Sequence, residues 1–334
     1  MLADPLSLPA TVPTGYGSLR DEPRFDPQQH LALEAPSQVW TLRDFGYSEQ
    51  EARQCASPVA VAGPMRLLSD EGAAAVRAVA TALRGERQAS DRTANYLAGG
   101  VYRSKFLRDL CSCRELADFL SAIAGCELLP HSMPSQQAYV NYAPDDLSKA
   151  VDTWHTDSIG LDCVLLVTDP ATFDGGQFQF FRGTRQAAAA LLEVRPENLT
   201  AAIRRELPAD QVVGVTFKSA GCAVFQQGSM VVHRATRLER RAERNTVVIG
   251  YVARDVSRPD PTRDSIVSWQ EPGLLAEFVR HKAWLTRTKL DALVRTLDVN
   301  APPAEIRARL EAAMADSQRA IEILEASERN PPQP

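Results

Sequence analysis

The sequence predicts an α+β fold, a double-stranded β-helix (jelly roll) braced by helices on its N- and C-terminal sides. Two observations predict it. From about residue 135 to 255 the chain reads as many short strands separated by Gly and Pro turns, the pattern of a sandwich or barrel. Apart from one short inserted helix, helical periodicity is confined to the N- and C-terminal sides of that stretch, so a jelly-roll core braced by helices is the economical fold.

Residues 1–38 form a Pro-rich arm (Pro5, Pro9, Pro13, Pro23, Pro27, Pro36) without sustained periodicity, expected to wrap as extended loops. Residues 39–134 form a helical N-terminal part of the main domain. Within it, Leu67 to Gly85 reads as a helix. Ser69 is its N-cap, Asp70 and Glu71 suit the positive end of its dipole, and Val76, Val79, Ala80 and Leu83 make an apolar stripe. A second helix is expected over Phe106 to Ala124, with Leu107, Leu110, Leu116, Phe119, Leu120 and Ile123 inward. The core spans residues 135–255. Its strands are expected at Gln137–Tyr142, Ile159–Thr168, Gln177–Phe181, Val212–Phe217, Cys222–Gln226, Met230–His233 and Thr246–Val252, with an inserted helix over Thr184–Leu192. Asp174-Gly175-Gly176 is a turn signal. The C-terminal part, 256–329, reads as two helices broken near Asn300–Pro303. The second turns Ile306, Leu310, Met314, Ile321 and Leu324 to one face, either to brace the core or to contact another subunit. Residues 330–334 are expected to be a disordered tail.

Composition narrows the function. A chain of 334 residues with 44% hydrophobic and 24% charged residues can bury a large core. The net charge of −5 leaves no basic excess to neutralise phosphates, so no nucleic-acid partner is expected. No apolar run is long enough to span a membrane, and the opening Met1-Leu-Ala-Asp-Pro carries no secretory pattern. A cytoplasmic protein without a membrane partner is expected, as a monomer or homodimer. The six cysteines lack paired zinc spacing and read as reduced thiols.

The most specific feature is Trp154-His155-Thr156-Asp157, answered by His233. On a strand, His155 and Asp157 point the same way, and an imidazole from a distant strand completes three ligands on one face of a metal. Two histidines and one carboxylate suit iron(II) that must keep open positions. Arg244 and Thr246 share a strand face, and a guanidinium there offers a bidentate fork to a carboxylate. Arg240 and Arg241 are the neighbouring candidates for that role. His30, His131 and His281 lack such partners in the sequence.

His155-x-Asp157, His233 76 residues later, and Arg244-x-Thr246 eleven residues beyond resemble the non-haem iron(II)- and 2-oxoglutarate-dependent oxygenase superfamily, in its phytanoyl-CoA-hydroxylase-like or related small-molecule tailoring branch. The resemblance covers about residues 135 to 253, with Ser69-Asp-Glu-Gly similar to the lead-in of such enzymes. It implies His155, Asp157 and His233 as iron ligands, Arg244 as the grip on the distal carboxylate of 2-oxoglutarate, and Thr246 as the hydroxyl beside it. It implies contacts to 2-oxoglutarate from Tyr139 and Asn141. Trp154 is a candidate wall of the iron pocket. Phe178 and Phe180 are core or substrate platform, and Gln179, Arg182 and the 95–105 loop are candidate substrate contacts. The implied reaction uses Fe(II), 2-oxoglutarate and O2. It oxidises an unactivated C–H bond of a small molecule, an amino acid or natural-product intermediate, by hydroxylation, desaturation or cyclisation, releasing succinate and CO2. Asp157 speaks against the halogenating branch, where the carboxylate ligand is missing so that halide can bind. Two rivals stay open. A cupin-like isomerase or dioxygenase without 2-oxoglutarate explains the ligands but not Arg244-x-Thr246. A non-catalytic scaffold leaves the intact ligand set unexplained.

Overall fold

A computed structural model describes residues 1–268 and 271–329. Its strands are β1 (Val39–Thr41), β2 (Val59–Arg66), β3 (Tyr96–Leu97), β4 (Leu128–Pro130), β5 (Tyr139–Asn141), β6 (Ala150–His155), β7 (Leu161–Leu166), β8 (Phe178–Phe181), β9 (Val212–Gly214), β10 (Cys222–Gln226), β11 (His233–Arg237) and β12 (Thr246–Ala253). The helices are α1 (Pro27–His30), α2 (Glu49–Gln54), α3 (Asp70–Leu83), α4 (Gly100–Arg103), α5 (Lys105–Cys111), α6 (Arg114–Ala124), α7 (Arg185–Leu192), α8 (Leu274–Thr296) and α9 (Pro303–Arg329).

The strands form two antiparallel sheets, giving an α+β architecture. The large sheet runs β1-β2-β10-β7-β12-β5-β3, with β4 also on β12, and the small sheet runs β6-β11-β8-β9. Strand β7 shows why they stack. All six of its residues are buried. Leu161, Cys163 and Leu165 face the helical side, packing with Val76, Leu107 and Leu120. Val164 and Leu166 face the small sheet, packing with Phe178 and Phe180. A strand covered on both faces reads as a near-continuous apolar run, and this one does but for Asp162.

Helix α3 begins at Ser69, whose Oγ accepts from the Gly72 amide at 3.0 Å, and buries the expected stripe. The single helix expected over Phe106–Ala124 is two. Chain direction changes at Ser112 and Cys113, both weak helix formers, and the Ser112 hydroxyl donates back to the Arg108 carbonyl. Strands β1 and β2 were not expected in the N-terminal part. Ala60, Ala62, Gly63 and Pro64 give β2 little strand signature, and Pro64 is accommodated because the register slips opposite Val224. The strand expected at Met230–His233 begins only at His233. Met230 and Val231 instead donate to the Gln227 carbonyl in a tight turn. The strand expected over Val212–Phe217 stops at Gly214.

The C-terminal helices differ in phase from the expected one. Leu310, Met314 and Ile321 are nearly half exposed, and α9 meets α8 through buried Ala313 and Ala320. Small residues let the helices approach, and polar pairs complete the seam: Lys289 to Asp316 at 2.6 Å and Ser317 to Thr286 at 2.8 Å. The N-terminal arm runs extended and is tied down where the Ala3 amide donates to the Arg254 carbonyl at 2.8 Å. The tail at 330–334 lies outside the described residues. Among the described residues no helix is long and apolar enough to cross a membrane.

Helix α8 docks onto a buried polar cluster. The His281 ring, fully buried, stacks 5.3 Å from His131 and contacts Asp260 at 2.9 Å, while Lys282 donates to the same carboxylate at 2.6 Å. Burial, with the neighbouring His281, pushes His131 down to about 3. Its folded value lies below its unfolded one, so between pH ~6.5 and ~3 the unfolded chain takes up a proton that the folded chain refuses. Stability from this group is complete above pH ~6.5 and is lost as pH falls. The stability gap between the native protein and His131→Asn is therefore expected to narrow by up to about 1.4 kcal/mol per pH unit across that window. Urea midpoints at stepped pH check this; a constant gap would count against it.

Candidate metal centre

The centre is built on two neighbouring strands of the small sheet, the edge strand β6 and β11 beside it. His155 closes β6 and His233 opens β11, and the two are direct register partners. Each Nδ1 sits against a carbonyl two residues upstream, Thr153 at 2.7 Å for His155 and Val231 at 3.0 Å for His233. Donation from Nδ1 fixes the tautomer and leaves each Nε2 with its lone pair toward the cavity. Asp157 lies beyond the end of β6, in the following loop, rather than on the strand as expected. Its amide donates to the Gly228 carbonyl at 2.8 Å, which aims its carboxylate back between the imidazoles. The His155 Nε2 lies 3.3 Å from Asp157 Oδ1, and the His233 Nε2 lies 3.3 Å from Asp157 Oδ2. Ligand atoms of all three fall within 4.8 Å of one another, a grouping that could hold a metal ion.

A register shift between His233 and Ala235 places two residues of β6 opposite one of β11. Asp152 and His155 thereby face the same cavity, although they differ in strand parity. Trp154 turns outward into a separate core with Phe181, Leu192 and Leu199, so it does not wall the metal pocket.

The cavity holds about 670 Å³ of space and brings together the second half of the expected site. Tyr139 and Asn141 reach it from β5, and Arg244 and Thr246 from the start of β12, where Thr246 pairs with Asn141. Arg244 is 2% exposed. Its Nε donates to the Gly176 carbonyl at 2.7 Å, while its buried Nη1 has no partner. Burial pulls this guanidinium down to about 10, only partly opposed by the charge of Asp152. Gly176 is required for the close passage. It has a φ of +61°, and a Cβ there would sit 2.7 Å from Arg244 Cδ. The Asn141 Oδ1 is likewise buried without a partner. Arg240 is occupied elsewhere, with Asp174 and the Thr172 carbonyl.

Burial raises the Asp157 carboxyl, but the charges of His233 and His155 outweigh it and hold the group below the usual carboxylate range. Burial, with His155 beside it, pushes His233 down to about 4, so it is a neutral ligand near neutral pH. Behind Asp157 stands Asp162, fully buried, whose carboxyl is pushed far up by burial and by the Asp157 charge. Gln226 donates to Asp162 Oδ1 at 3.0 Å and to Asp157 Oδ2 at 3.3 Å, linking the pair. On the other side, Arg92 lies 3.3 Å from Asp152, which is 3.5 Å from His155 Nδ1. Sequence reading missed Asp162, Gln226, Arg92 and Asp152. For the first two the signal was a polar residue at the inward parity of an apolar strand.

Other candidates are placed elsewhere. Phe178 borders the cavity, with its ring 5.6 Å from His233, and Phe180 packs against Phe45 in the core. Gln179 accepts from Arg234 on the outer face, and Arg182 is exposed. In the 95–105 loop, Tyr96 stacks behind Tyr139 at 5.2 Å, Tyr102 bonds Glu277 at 2.8 Å, and Arg103 lies over Tyr16; none lines the metal cavity. His30, His131 and His281 are also away from it.

Gly228 packs against both carboxylates. A Cβ there would lie 2.1 Å from Asp157 Oδ2 and 2.3 Å from Asp162 Oδ2. Gly228→Ala is expected to swing Asp157 aside and weaken divalent-metal binding roughly 10–100-fold, as loss of a ligand's support does. Calorimetric metal titration measures it.

The profile of the Halogenase D (HalD) family matches residues 84–270. The chain belongs to this family. The match in this Halogenase D member includes His155, Asp157, His233, Tyr139, Asn141, Arg244 and Thr246. The family fits the non-haem iron(II)- and 2-oxoglutarate-dependent superfamily that the motif order resembles. Among solved structures, the chain is similar to SnoK, a non-haem α-ketoglutarate-dependent carbocyclase from nogalamycin biosynthesis. Identity is 20% over 71% of this chain and 95% of that one, with a TM-score of 0.44. It is also similar to the epimerase SnoN of the same biosynthesis, at 18% identity over 61% and 81% of the two chains and a TM-score of 0.44. A third likeness is to a prolyl 4-hydroxylase from Phytophthora capsici, at 15% identity over 89% and 93% of the chains and a TM-score of 0.36. No curated protein matches the Halogenase D member's sequence.

Proposed function

We propose that this Halogenase D family protein is an iron(II)- and 2-oxoglutarate-dependent oxygenase that oxidises an unactivated C–H bond of a small molecule, with release of succinate and CO2. One observation carries the reading: the His155–Asp157–His233 cluster opens into the same cavity as a buried guanidinium, Arg244, whose Nη1 has no partner. In this reading the two sheets form a jelly roll.

The residues fit both groups. Two imidazoles and one carboxylate are the donor set of an iron(II) site with open positions. An unpaired buried cation is costly unless an anion completes it, and a dicarboxylate with one end on the metal would do so. His155, Asp157 and His233 would hold the metal. Arg244 and Thr246 would hold the distal carboxylate of 2-oxoglutarate, with Tyr139 and Asn141 beside it. Iron(II), 2-oxoglutarate and O2 together supply an oxidant able to break an unactivated C–H bond. The chain's own part is to fix the ligands, exclude water through Phe178 and Val164, and orient the cosubstrate. Gln226 and Asp162 keep Asp157 aimed between the imidazoles.

The family's name points to halogenation, but Asp157 occupies the ligand position that halide needs. The proposed outcome is therefore hydroxylation, desaturation or ring formation, on an amino acid or natural-product intermediate. The orphaned Arg244 favours this reading over a cupin-like enzyme without 2-oxoglutarate, which has no use for it.

The test is anaerobic addition of iron(II) and 2-oxoglutarate to the purified protein. A weak visible charge-transfer band is expected. Stoichiometric metal without the band would replace this reading by the cupin-like one; no metal at all would leave a scaffold.

A further inference from the structure

A second cleft, about 1080 Å³, lies beside the metal centre. The two share no lining residue, but the wall between them is thin in sequence: Ile159 lines the cavity and Gly160 the cleft. Three arginines line it; Arg258 is exposed, while Arg185 at the first turn of α7 and Arg263 in the loop before α8 are partly buried.

Arg263 is stapled to the segments that carry the metal ligand Asp157. Its amide donates to the Ser158 carbonyl at 2.8 Å, and its Nη2 to the Ser229 carbonyl at 3.2 Å, next to Gly228, whose own carbonyl holds the Asp157 amide. The backbone amide of Arg185 donates to the Tyr47 hydroxyl at 2.8 Å, and that hydroxyl donates to the Met230 carbonyl at 2.6 Å. Both guanidinium groups carry a buried N–H without a partner, Nε of Arg185 and Nη1 of Arg263. Neither forms an ion pair among the described residues, and the two charges repel, which adds to the effect of burial in lowering Arg263.

The acids nearby are already engaged. Asp260 binds His281 and Lys282, Asp255 binds the N-terminal ammonium, Glu51 accepts from Ser48, and Asp157 belongs to the metal cluster. Two adjacent cations with orphaned donors need an anion from outside the chain. The remainder of the wall is largely apolar, with Leu161, Met230, Val252, Val256 and Leu285.

We propose that this cleft is the substrate site and that Arg185 and Arg263 together bind the oxyanion, carboxylate or phosphate, of a substrate with an apolar body. This rests on the oxygenase reading for the word substrate; the anion site stands on its own geometry.

The probes are octanoate, octyl phosphate and octanamide, titrated calorimetrically into the full chain, metal-free and anaerobically loaded. Octanoate and octanamide share a shape and differ in charge. Octanoate is expected to bind at least about tenfold tighter than octanamide, and Arg185→Gln with Arg263→Gln to erase that preference. Each single substitution is expected to weaken it where the double variant does not fold. The octyl phosphate arm tells which oxyanion suits the pair better. Equal binding of octanoate and octanamide by the native protein, no octanoate binding at millimolar concentration, or a preference that survives in the variants would overturn the proposal. Iron and 2-oxoglutarate loading is read separately by its charge-transfer band. Anion binding without the band would sink the oxygenase reading alone, and the band without anion binding would sink this one alone.

Discussion

His155→Ala is expected to abolish retention of iron(II) and all turnover with it. The imidazole contributes one of three ligands, held in place by its Nδ1 contact with the Thr153 carbonyl. Loss of an outer-shell partner alone weakens a metal site by about 10–100-fold; loss of a ligand is expected to cost at least about 10³-fold. The fold should survive, because His155 holds its place in β6 through backbone pairing with His233. Metal content after dialysis, with far-ultraviolet circular dichroism as the control for folding, measures the effect. A variant that folds and keeps stoichiometric iron would reject the His155–Asp157–His233 site.

Arg244→Met is expected to move two quantities in opposite directions. The affinity for 2-oxoglutarate should fall by about 100-fold, near 3 kcal/mol, the scale for removing one member of a buried charge-assisted pair. The protein without cosubstrate should become more stable by about 1–3 kcal/mol, because an orphaned buried cation is exchanged for an apolar chain of similar reach. The lost bond to the Gly176 carbonyl opposes part of that gain. Titration of the charge-transfer band gives the first quantity and urea unfolding of the apoprotein the second. If stability fell and 2-oxoglutarate affinity held, Arg244 would be a strut for the Gly175-Gly176 turn and not a ligand-binding group.

The site was legible where its chemistry is written in short spacings. His155-x-Asp157 and Arg244-x-Thr246 each sit within three residues, and the strands around them carry clear apolar patterns, as in β7 and β12. The unread parts depend on contacts between distant segments. Strand β2 lacks the usual β-branched run, and its place in the large sheet comes from pairing with β10. The bulge in β6 cannot be read from β6 alone, since it is a mismatch with β11. It alone puts Asp152 beside His155 and sends Trp154 outward. In α9 the periodicity selected the bulky apolar residues, whereas the seam with α8 uses Ala313 and Ala320, where helix approach and polar pairing outweigh hydrophobic bulk. Asp162 and Gln226 were visible as polar residues on inward faces, a sign that a buried network needs them.

The two halves of the candidate site belong to different sheets. The imidazoles come from β6 and β11 of the small sheet, while Thr246, Asn141 and Tyr139 belong to β12 and β5 of the large one, with Arg244 just ahead of β12. A dicarboxylate held at both ends is then a crossbeam between the layers. Succinate, two carboxylates without the chelating keto group, would hold the metal side through a single carboxylate and so more weakly. Each turnover would thus slacken a tie across the sandwich, and the layers would breathe more freely at the moment when product has to leave.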